Sequence, residues 1–434
     1  MSNRSRSILA AGTLIAVAAA LTGCSTAGSN ADGTTTVTVM YTSNEFAPEY
    51  VEDFESTNPD IKIKLIEFDQ NRLNAMLTAG DPPDLVRGTP SANLFARGLA
   101  TPLDSYVAGS EVIRESDLMA ANDLWRWDGE ARGSGQLYGI IKDFSPDLTI
   151  WQNTAVFEAA GVEPLSSTEP SSWDEVLETA KALKASGIET TLGLNWAWGV
   201  SGVFQTMVEQ QGSQIYNSSL TEAQLNTPEG IRAIQWLIDY GKAGVGTTSL
   251  NPPASGDDTE SFLTGELAAL QTGYWFGGGL VPGEDTMVGN TAQLVPTPTF
   301  GERVSPVLGG VGAWIPEASK HKDAAWRVME YFMAGKPATD RASSGWGLPA
   351  LESLWELIPT TEPYQAQAKE VALDEVTYFV PLQDSPYINS SSWGSFLDKE
   401  LQEAIQGNRT AKQVAESVED EMNKLLAQGK DQLG

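Results

Sequence analysis

Strand-like and helix-like runs alternate through the first part of the chain, and this alternation constrains the fold more than any other feature of the sequence. Residues 37–41 (VTVMY) are a short run rich in β-formers, and apolar residues then recur at helical spacing from Ala47 to Phe54. In residues 61–65 apolar and charged side chains alternate, which is typical of a strand with one solvated face. The order strand, helix, strand predicts α/β layers around a mostly parallel sheet.

Two capping signals mark helices further along the chain. Residues 172–175 have the spacing of a capping box and lead into an apolar helical face. Residues 410–413 repeat that spacing before an apolar stripe that reaches Leu425. The chain is therefore predicted to end on a long amphipathic helix. No internal repeat of about 20 to 50 residues is apparent, which argues against a solenoid or a propeller.

Length and charge exclude several classes of protein. A chain of 434 residues allows two or three units of about 150 residues each. The 57 acidic residues exceed the 27 basic ones, giving a net charge of −30. Nucleic acid is therefore not an expected partner, because phosphate contacts need clustered Lys and Arg. The lone histidine, His321, lies in a polar run before a predicted helix, where we expect it to be structural.

The amino terminus has the pattern of an export signal. Arg4 and Arg6 precede an apolar run at residues 8–21, which is shorter than the roughly 20 residues that span a bilayer. We interpret residues 1–23 as a secretory signal peptide. The only cysteine, Cys24, follows Leu-Thr-Gly and resembles the lipobox cysteine of bacterial lipoproteins, which is acylated after cleavage. A cysteine simply buried in the signal segment is the alternative, and the position favours lipidation.

Residues 24–36 are small and polar, so we interpret them as a flexible, lipid-anchored tether. The protein is then expected to be exported and held at the outer face of the bacterial cytoplasmic membrane. Stable anchoring needs more than one acyl chain, which the lipoprotein modification provides.

Tryptophan is common, with 13 residues against 13 Phe and 11 Tyr. A pyranose ring stacks its C–H face on a flat aromatic ring, while carboxylates and amides bond its hydroxyl groups. Several tryptophans lie in segments rich in Gly, Pro and polar residues, which we predict to be loops: Trp196, Trp198, Trp275, Trp346 and Trp393. Others lie in helix-like contexts and are predicted to serve in packing: Trp125, Trp127, Trp173, Trp236, Trp326 and Trp355. This pattern suits a protein that binds a neutral carbohydrate.

Signals for catalysis are weak. The glycines at 277–279 lack the Gly-Lys-Ser/Thr that completes a phosphate loop. With one Cys and one His there is no metal-ligand cluster, so no cofactor or metal is expected. A glycosidase needs only two carboxylates about 5–9 Å apart, and 57 acidic residues leave that possibility open.

A series of motifs, loose one by one, is specific in its order and spacing. They are Asn58-Pro59 with the run 61–65, Pro83-Asp84-Leu85, and the segments 98–104, 137–140, 151–153, 157–161, 173–175, 262–270, 273–275 and 345–349. Together they resemble the extracellular solute-binding lipoproteins of ABC sugar importers, the group that includes maltose-binding protein. Two departures are Trp151-Gln152-Asn153 in place of the usual Tyr-Asn and Ala269-Leu270 in place of Ala-Met.

This resemblance implies a two-lobed α/β fold of the periplasmic-binding-protein type II, with a hinge between discontinuous lobes and a central cleft. Crossings between the lobes are expected near Leu148, Val307 and Leu354. The N-terminal lobe would comprise residues 37–148 and 307–354, and the C-terminal lobe residues 149–306 and 355–434.

The resemblance also implies ligand-binding residues in that cleft. Matching positions give Asn44, Glu45, Arg87, Asn93, Trp275 and Trp393. Trp196, Trp198 and Trp346 are added on residue type, and Asp143 because it lies close to the first crossing. A hydrogen bond to a charged carboxylate contributes about 1.5–3 kcal/mol, so Glu45 and Asp143 are candidates for orienting a sugar.

The predicted function is capture of a neutral sugar, most simply an oligosaccharide, by a monomer that delivers it to ABC permease subunits and performs no chemistry. Two alternatives fit the same residues: a surface-anchored glycoside hydrolase, and a lectin-like adhesin that needs no hinge.

Overall fold

The computed structural model describes residues 33–254, 258–280 and 287–433. The predicted signal peptide, Cys24 and tether residues 24–32 lie outside these ranges. The predicted tether extends too far at its end, because Thr35 and Thr36 already pair with Ile61 and Lys62 in a sheet.

Strands and helices alternate along the described chain. The strands are β1 Thr35–Tyr41, β2 Ile61–Glu67, β3 Leu85–Gly88, β4 Arg126–Trp127, β5 Gln136–Leu137, β6 Ile140–Ile141, β7 Asp143–Phe144, β8 Ile150–Asn153, β9 Thr190–Gly193, β10 Leu267–Gln271, β11 Ala292–Val295, β12 Gly312–Trp314 and β13 Leu348–Pro349. The α-helices are α1 Pro48–Thr57, α2 Gln70–Ala79, α3 Ala92–Ala96, α4 Asp104–Gly109, α5 Thr154–Ala160, α6 Trp173–Ala185, α7 Trp196–Glu209, α8 Pro228–Ala243, α9 Thr259–Leu263, α10 Lys322–Ala334, α11 Lys336–Ser344, α12 Gln365–Val376, α13 Ser390–Ile405 and α14 Ala411–Leu433. Short 3-10 helices lie at Glu115–Asp117, Ala120–Trp125, Tyr274–Gly279, Met287–Asn290 and Glu352–Leu357.

Within the described residues, one sheet has five strands in the order β2-β1-β3-β12-β6. β1 runs parallel to β2 and β3, while β12 is antiparallel to β3 and β6. Helix α10 packs on β1 and on the turn that follows it, because Phe332 contacts Tyr41 at a ring-centroid distance of 4.9 Å and stacks on Phe46 at 4.4 Å. We call this sheet and its helices the first lobe.

A second sheet of the described chain has four strands in the order β11-β8-β10-β9. Only part of it is parallel: β9 pairs parallel with β10, and β8 is antiparallel to β10 and β11. The expectation of a mostly parallel sheet therefore fails here, because β8 enters from the other lobe and runs against its neighbours. We call this sheet and its helices the second lobe.

Both predicted capping boxes are present. Ser172 Oγ accepts the backbone N–H of Glu175, whose side chain accepts the N–H of Ser172. Gln413 N–H donates to Thr410 Oγ1, and Thr410 N–H donates to Gln413 Oε1. The long helix α14 follows, as predicted.

Connections between the lobes form the floor of the space between the sheets. The chain leaves the first lobe after β7 and enters β8 through residues 145–149, and it returns through residues 296–311 before β12. It leaves again after β13 for α12, where Gln367 bonds both the N–H and the C=O of Leu294 on β11. None of the helices in the described ranges is long and apolar enough to cross a membrane.

Candidate functional site

A cavity of about 450 Å³ opens where the connections between the lobes pass each other. The turn after β1 supplies Glu45, β3 supplies Arg87, and the chain around β7 supplies Lys142 and Asp143. The opposite wall carries Trp275 from a 3-10 helix. The remaining lining residues are Phe144, Ser145, Asp147, Val307, Leu308, Gly309, Gly310, Val311 and Trp346.

Opposite charges are paired along one wall of this cavity. Arg87 donates to both carboxylate oxygens of Glu45, with Nε–Oε2 at 2.6 Å and Nη2–Oε1 at 3.1 Å. Lys142 Nζ lies 3.3 Å from Glu45 Oε1 and 2.7 Å from Asp143 Oδ2. The Lys142 side chain is only 4% exposed, so its charge is balanced by the two carboxylates rather than by water.

This pairing keeps Glu45 ionised. Burial alone would raise its pKa, but the hydrogen bond from Arg87 and the charge of Lys142 outweigh burial and lower the pKa to about 2. Thr42 Oγ1 also donates to Glu45 Oε2, at 2.8 Å. A carboxylate held in this way offers a fixed acceptor at neutral pH.

A third acid, Asp147, lies at the floor of the cavity. Asp147 Oδ2 accepts the backbone N–H groups of Leu308, at 2.7 Å, and Gly309, at 3.3 Å. Burial raises the pKa of Asp147 to about 7 in spite of these two bonds. Asp147 therefore ties the two connections 145–149 and 296–311 together directly beneath the cavity.

Two indole rings form the aromatic part of the cavity. The ring centroids of Trp275 and Trp346 are 5.4 Å apart, with an angle of 51° between their planes. Trp346 is 42% exposed, and Trp275 is half-buried. Backbone packing holds Trp346 close to the 3-10 helix, since a Cβ on Gly278 would lie 3.0 Å from Trp346 Cα. The cavity thus combines two accessible aromatic rings with a network of paired charges.

A profile of the bacterial extracellular solute-binding protein family matches residues 41–334. The chain belongs to this family. A search of curated protein sequences finds no match.

Solved structures of solute-binding proteins share the fold over nearly the whole chain. The ABC substrate-binding protein Lmo0181 from Listeria monocytogenes, in complex with cycloalternan, is 22% identical, with a TM-score of 0.76 over 91% of this chain and 99% of that one. Maltose-bound MalE3 of T. maritima is 16% identical, with a TM-score of 0.73 over 90% and 99%. The cyclic alpha-maltosyl-1,6-maltose binding protein from Arthrobacter globiformis is 20% identical, with a TM-score of 0.68 over 91% and 99%. The two-lobed periplasmic-binding-protein fold is thereby confirmed.

The structure of this solute-binding protein brings half of the predicted site residues together. Those that line the cavity are Glu45, Arg87, Asp143, Trp275 and Trp346. Asn44 is exposed on the turn before Glu45 and is not part of the lining.

Three other predicted residues lie elsewhere. Trp196 begins helix α7 rather than a loop; it is 3% exposed, stacks on Tyr240 at 5.7 Å and donates to Asp398, so it is a core residue. Trp393 lies in helix α13, is 2% exposed and packs edge-on against Phe204, beside a smaller cavity of about 250 Å³. Asn93 does not line the main cavity.

Asn93 Nδ2 instead donates to the carbonyl of Pro386, at 2.8 Å. For Trp198 the structure describes the backbone, which is helical rather than in a loop, but not the side chain. The loop prediction was therefore wrong for Trp196, Trp198 and Trp393.

Sequence reasoning missed Lys142 and Asp147. A signal for Lys142 was present, since a single cation directly follows the apolar pair Ile140-Ile141 and directly precedes Asp143. Asp147 has no comparable local signal, because its environment depends on Leu308 and Gly309, more than 150 residues away. Among the residues that the structure describes, no group of three or more His, Cys, Asp or Glu side chains could hold a metal ion.

Proposed function

We propose that this protein captures a neutral oligosaccharide in the cavity between its lobes and delivers it to the permease subunits of an ABC transporter. The observation that carries the proposal is the pair Trp275 and Trp346 facing a wall of mutually paired charges. The two indole rings would take the C–H faces of the sugar, and the fixed carboxylates would orient its hydroxyl groups.

Neutrality of the ligand follows from charge balance in the cavity. Arg87 and Lys142 are both engaged by Glu45, and Lys142 also by Asp143. An anionic ligand would have to compete with these carboxylates for the cations, and a cationic ligand with the cations for the carboxylates. A neutral polyol can bond the outward-facing lone pairs and N–H groups without breaking the pairs. The structural relatives support a sugar, since one is in complex with cycloalternan, one is bound to maltose, and one is named as a cyclic alpha-maltosyl-1,6-maltose binding protein.

Binding would be coupled to closure of the lobes. We propose that the first lobe comprises residues 35–148 and 307–354, with its start moved from 37 to 35 because Thr35 and Thr36 pair in the sheet. The second lobe would comprise residues 149–306 and 355–434. Hinge motion in the three connections would close the cleft on the sugar, and docking on the permease would reopen it. Specificity would come from contacts made by both lobes.

The protein would act at the membrane surface as a monomer on a lipid anchor. Cleavage of residues 1–23 would expose Cys24 for acylation, and the polar tether would hold the body at the outer face of the cytoplasmic membrane. Labelling cells with a palmitate analogue tests this directly. The label and the membrane association are both expected to disappear in Cys24→Ser. Detection of the palmitate label on Cys24→Ser would contradict a lipid anchor at Cys24.

A thermal-shift screen tests the ligand class. The panel contains glucose, maltose, maltotriose, a cyclic tetrasaccharide and glucuronate, an anionic control of the same ring size and shape as glucose. A sugar present at 100 times its dissociation constant adds about 2.7 kcal/mol of stability, which gives a clear shift. We expect shifts with neutral oligosaccharides and none with glucuronate; no shift with any neutral sugar would refute the proposal.

Incubation of the purified protein with the labelled best ligand then separates the alternatives. A transport component retains one ligand per protein and releases it unchanged. Product formation would identify a glycoside hydrolase instead. Retention without contraction of the protein in solution scattering would identify a rigid lectin.

A further inference from the structure

The segment between α12 and α13 contacts both lobes through alternate residues. Residues 381–385 of this segment have neither helical nor strand hydrogen bonding. We call residues 382–386 the strap. Its odd-numbered residues bond the second lobe, and its even-numbered residues bond the first.

The odd-numbered residues fix the strap to the second lobe. Gln383 Oε1 accepts the backbone N–H of Tyr216 at 3.1 Å, and Gln383 C=O accepts Gln205 Nε2 of helix α7 at 2.9 Å. Ser385 Oγ, which is fully buried, donates to the carbonyl of Leu220 at 2.7 Å. These bonds hold the strap to helix α7 and to the backbone at Tyr216 and Leu220, all of which belong to the second lobe.

The even-numbered residues reach the first lobe. Asp384 Oδ2 accepts the N–H of Ala92, the first residue of α3, at 2.7 Å and lies 3.1 Å from Arg132 Nε. Arg132 also donates to the carbonyl of Leu382 at 3.3 Å. Pro386 C=O accepts Asn93 Nδ2 at 2.8 Å. The hydrogen bonds from Ala92 and Asn93 therefore cross from one lobe to the other.

Arg132 is a firm anchor because its loop is held in place. Asp128 Oδ1 accepts the N–H groups of Glu130 and Ala131, and Asp128 Oδ2 accepts Ser134 Oγ. The side chains of Arg132 and Asp384 are 11% and 13% exposed, so the ion pair is largely desolvated. A desolvated pair supported by further hydrogen bonds is worth more than a surface pair, and it leaves uncompensated charge behind when the partners separate.

We propose that the strap is a latch between the lobes, in which the Arg132–Asp384 pair and the strap's bonds to α3 stabilise the closed arrangement of the cleft. Opening requires these bonds to break while Gln383 and Ser385 keep the strap on the second lobe. The strap lies beside the smaller cavity, which shares Val307 and Leu308 with the main cavity. The latch therefore acts on the width of the cleft itself, whatever ligand the cleft takes.

The test compares Arg132→Gln and Asp384→Ala with the original protein by solution scattering and amide exchange. In 50 mM NaCl both variants are expected to have a larger radius of gyration than the original protein, because the open arrangement gains population. In Arg132→Gln the N–H of Ala92 still has Asp384 as its acceptor. We nevertheless expect its exchange to speed up by about five- to thirtyfold, as loss of one or two kcal/mol implies, since the lobes separate as units.

Arg126→Gln is the matched control. Arg126 lies on the same hairpin, its side chain is 14% exposed, and it pairs with Glu115 and Asp123 inside the first lobe. This control is expected to keep the original radius of gyration and the original exchange at Ala92.

Equal radii for all proteins, or unchanged exchange at Ala92 in Arg132→Gln, would overturn the latch. If Asp384→Ala does not fold, as judged by circular dichroism, Arg132→Gln carries the test alone. None of these measurements needs a sugar, so failure of the latch and failure of the proposed function are distinguishable.

Discussion

Two tryptophan pairs with similar separations between their rings occupy opposite environments in this protein. Trp173 and Trp236 have ring centroids 5.2 Å apart in the second lobe, and Trp275 and Trp346 are 5.4 Å apart at the cavity. The first pair is 0% and 3% exposed, and both its indole N–H groups donate to protein acceptors, Gln210 Oε1 and the carbonyl of Trp173. The second pair has Trp346 at 42% exposure.

The same residue type therefore serves stability in one place and recognition in the other. A buried ring whose N–H is satisfied contributes through packing and has no face left for a ligand. An accessible ring beside a cavity contributes less packing and keeps a face for stacking. This contrast predicts that mutations will separate stability from affinity.

The largest effect is expected for Trp236→Ala in the core pair. Removing a large buried ring leaves a cavity beside Trp173 and Tyr240, and such truncations cost about 3–5 kcal/mol. Urea unfolding followed by circular dichroism measures this loss. Trp236→Phe serves as the control, with a smaller loss expected because most of the ring volume is kept. A loss below 1 kcal/mol for the Ala variant would erase the contrast between the pairs.

Asp147→Asn tests whether the cavity supplies stability as the core does or reduces it. Burial raises the folded-state pKa of Asp147 to about 7, above the value near 4 of the unfolded chain. Below pH 4 Asp147 is protonated in both the folded and the unfolded protein, so it does not change the free energy of unfolding. As the pH rises from 4 to 7 the unfolded state loses its proton first, so the original protein loses up to about 4 kcal/mol that the amide variant does not lose.

The measurement is the difference in unfolding free energy between Asp147→Asn and the original protein at several pH values. That difference should become more favourable to the variant between pH 4 and 7 and then level off. Thr149→Val, a change on the same connection at a residue that does not titrate and whose side chain bonds the carbonyl of Pro146, should give a difference independent of pH. A difference for Asp147→Asn that does not change with pH would show that Asp147 ionises normally in the folded protein.

Local sequence patterns predicted the elements of the fold well, and the lobes only with the help of the family resemblance. Capping boxes and the alternation in residues 61–65 depend on neighbours in sequence, so they could be identified directly. Glu45 and Arg87 meet because β1 and β3 are parallel neighbours, which places Arg87, near the carboxyl end of β3, beside the turn that follows β1.

The sequence alone did not show which of the candidate side chains are buried. Trp196 and Trp275 both lie in segments rich in Gly and aromatic residues, but Tyr240 covers one and the cavity opens beside the other. Asn93 was misjudged for the same reason, because its partner Pro386 is 293 residues away. Contacts of such long range leave no periodic pattern in the chain.

Trp275→Ala should mainly reduce the affinity for the sugar, whereas Trp236→Ala should mainly reduce stability. We expect the affinity for the best sugar to fall about tenfold, equivalent to about 1.4 kcal/mol, because one stacking face is lost. Stability should fall by about 1 kcal/mol, since the ring is half-buried against Phe276. Titration calorimetry and urea unfolding measure the two effects separately. A change in affinity of less than twofold would mean that Trp275 does not stack on the ligand.

Trp346→Ala gives the smallest change and the sharpest form of the comparison. With 42% of its surface exposed, Trp346 has little packing to lose, so we expect its removal to change stability by no more than about 0.5 kcal/mol. Its ring is tilted by 51° to that of Trp275, so both can contact one sugar unit only obliquely or contact two successive units. If they contact successive units, Trp346→Ala should weaken an oligosaccharide about threefold and leave a monosaccharide unaffected. Equal weakening of both sugars in calorimetry would show that the two indole rings contact the same sugar unit. The cavity would then recognise a single sugar unit rather than an oligosaccharide chain.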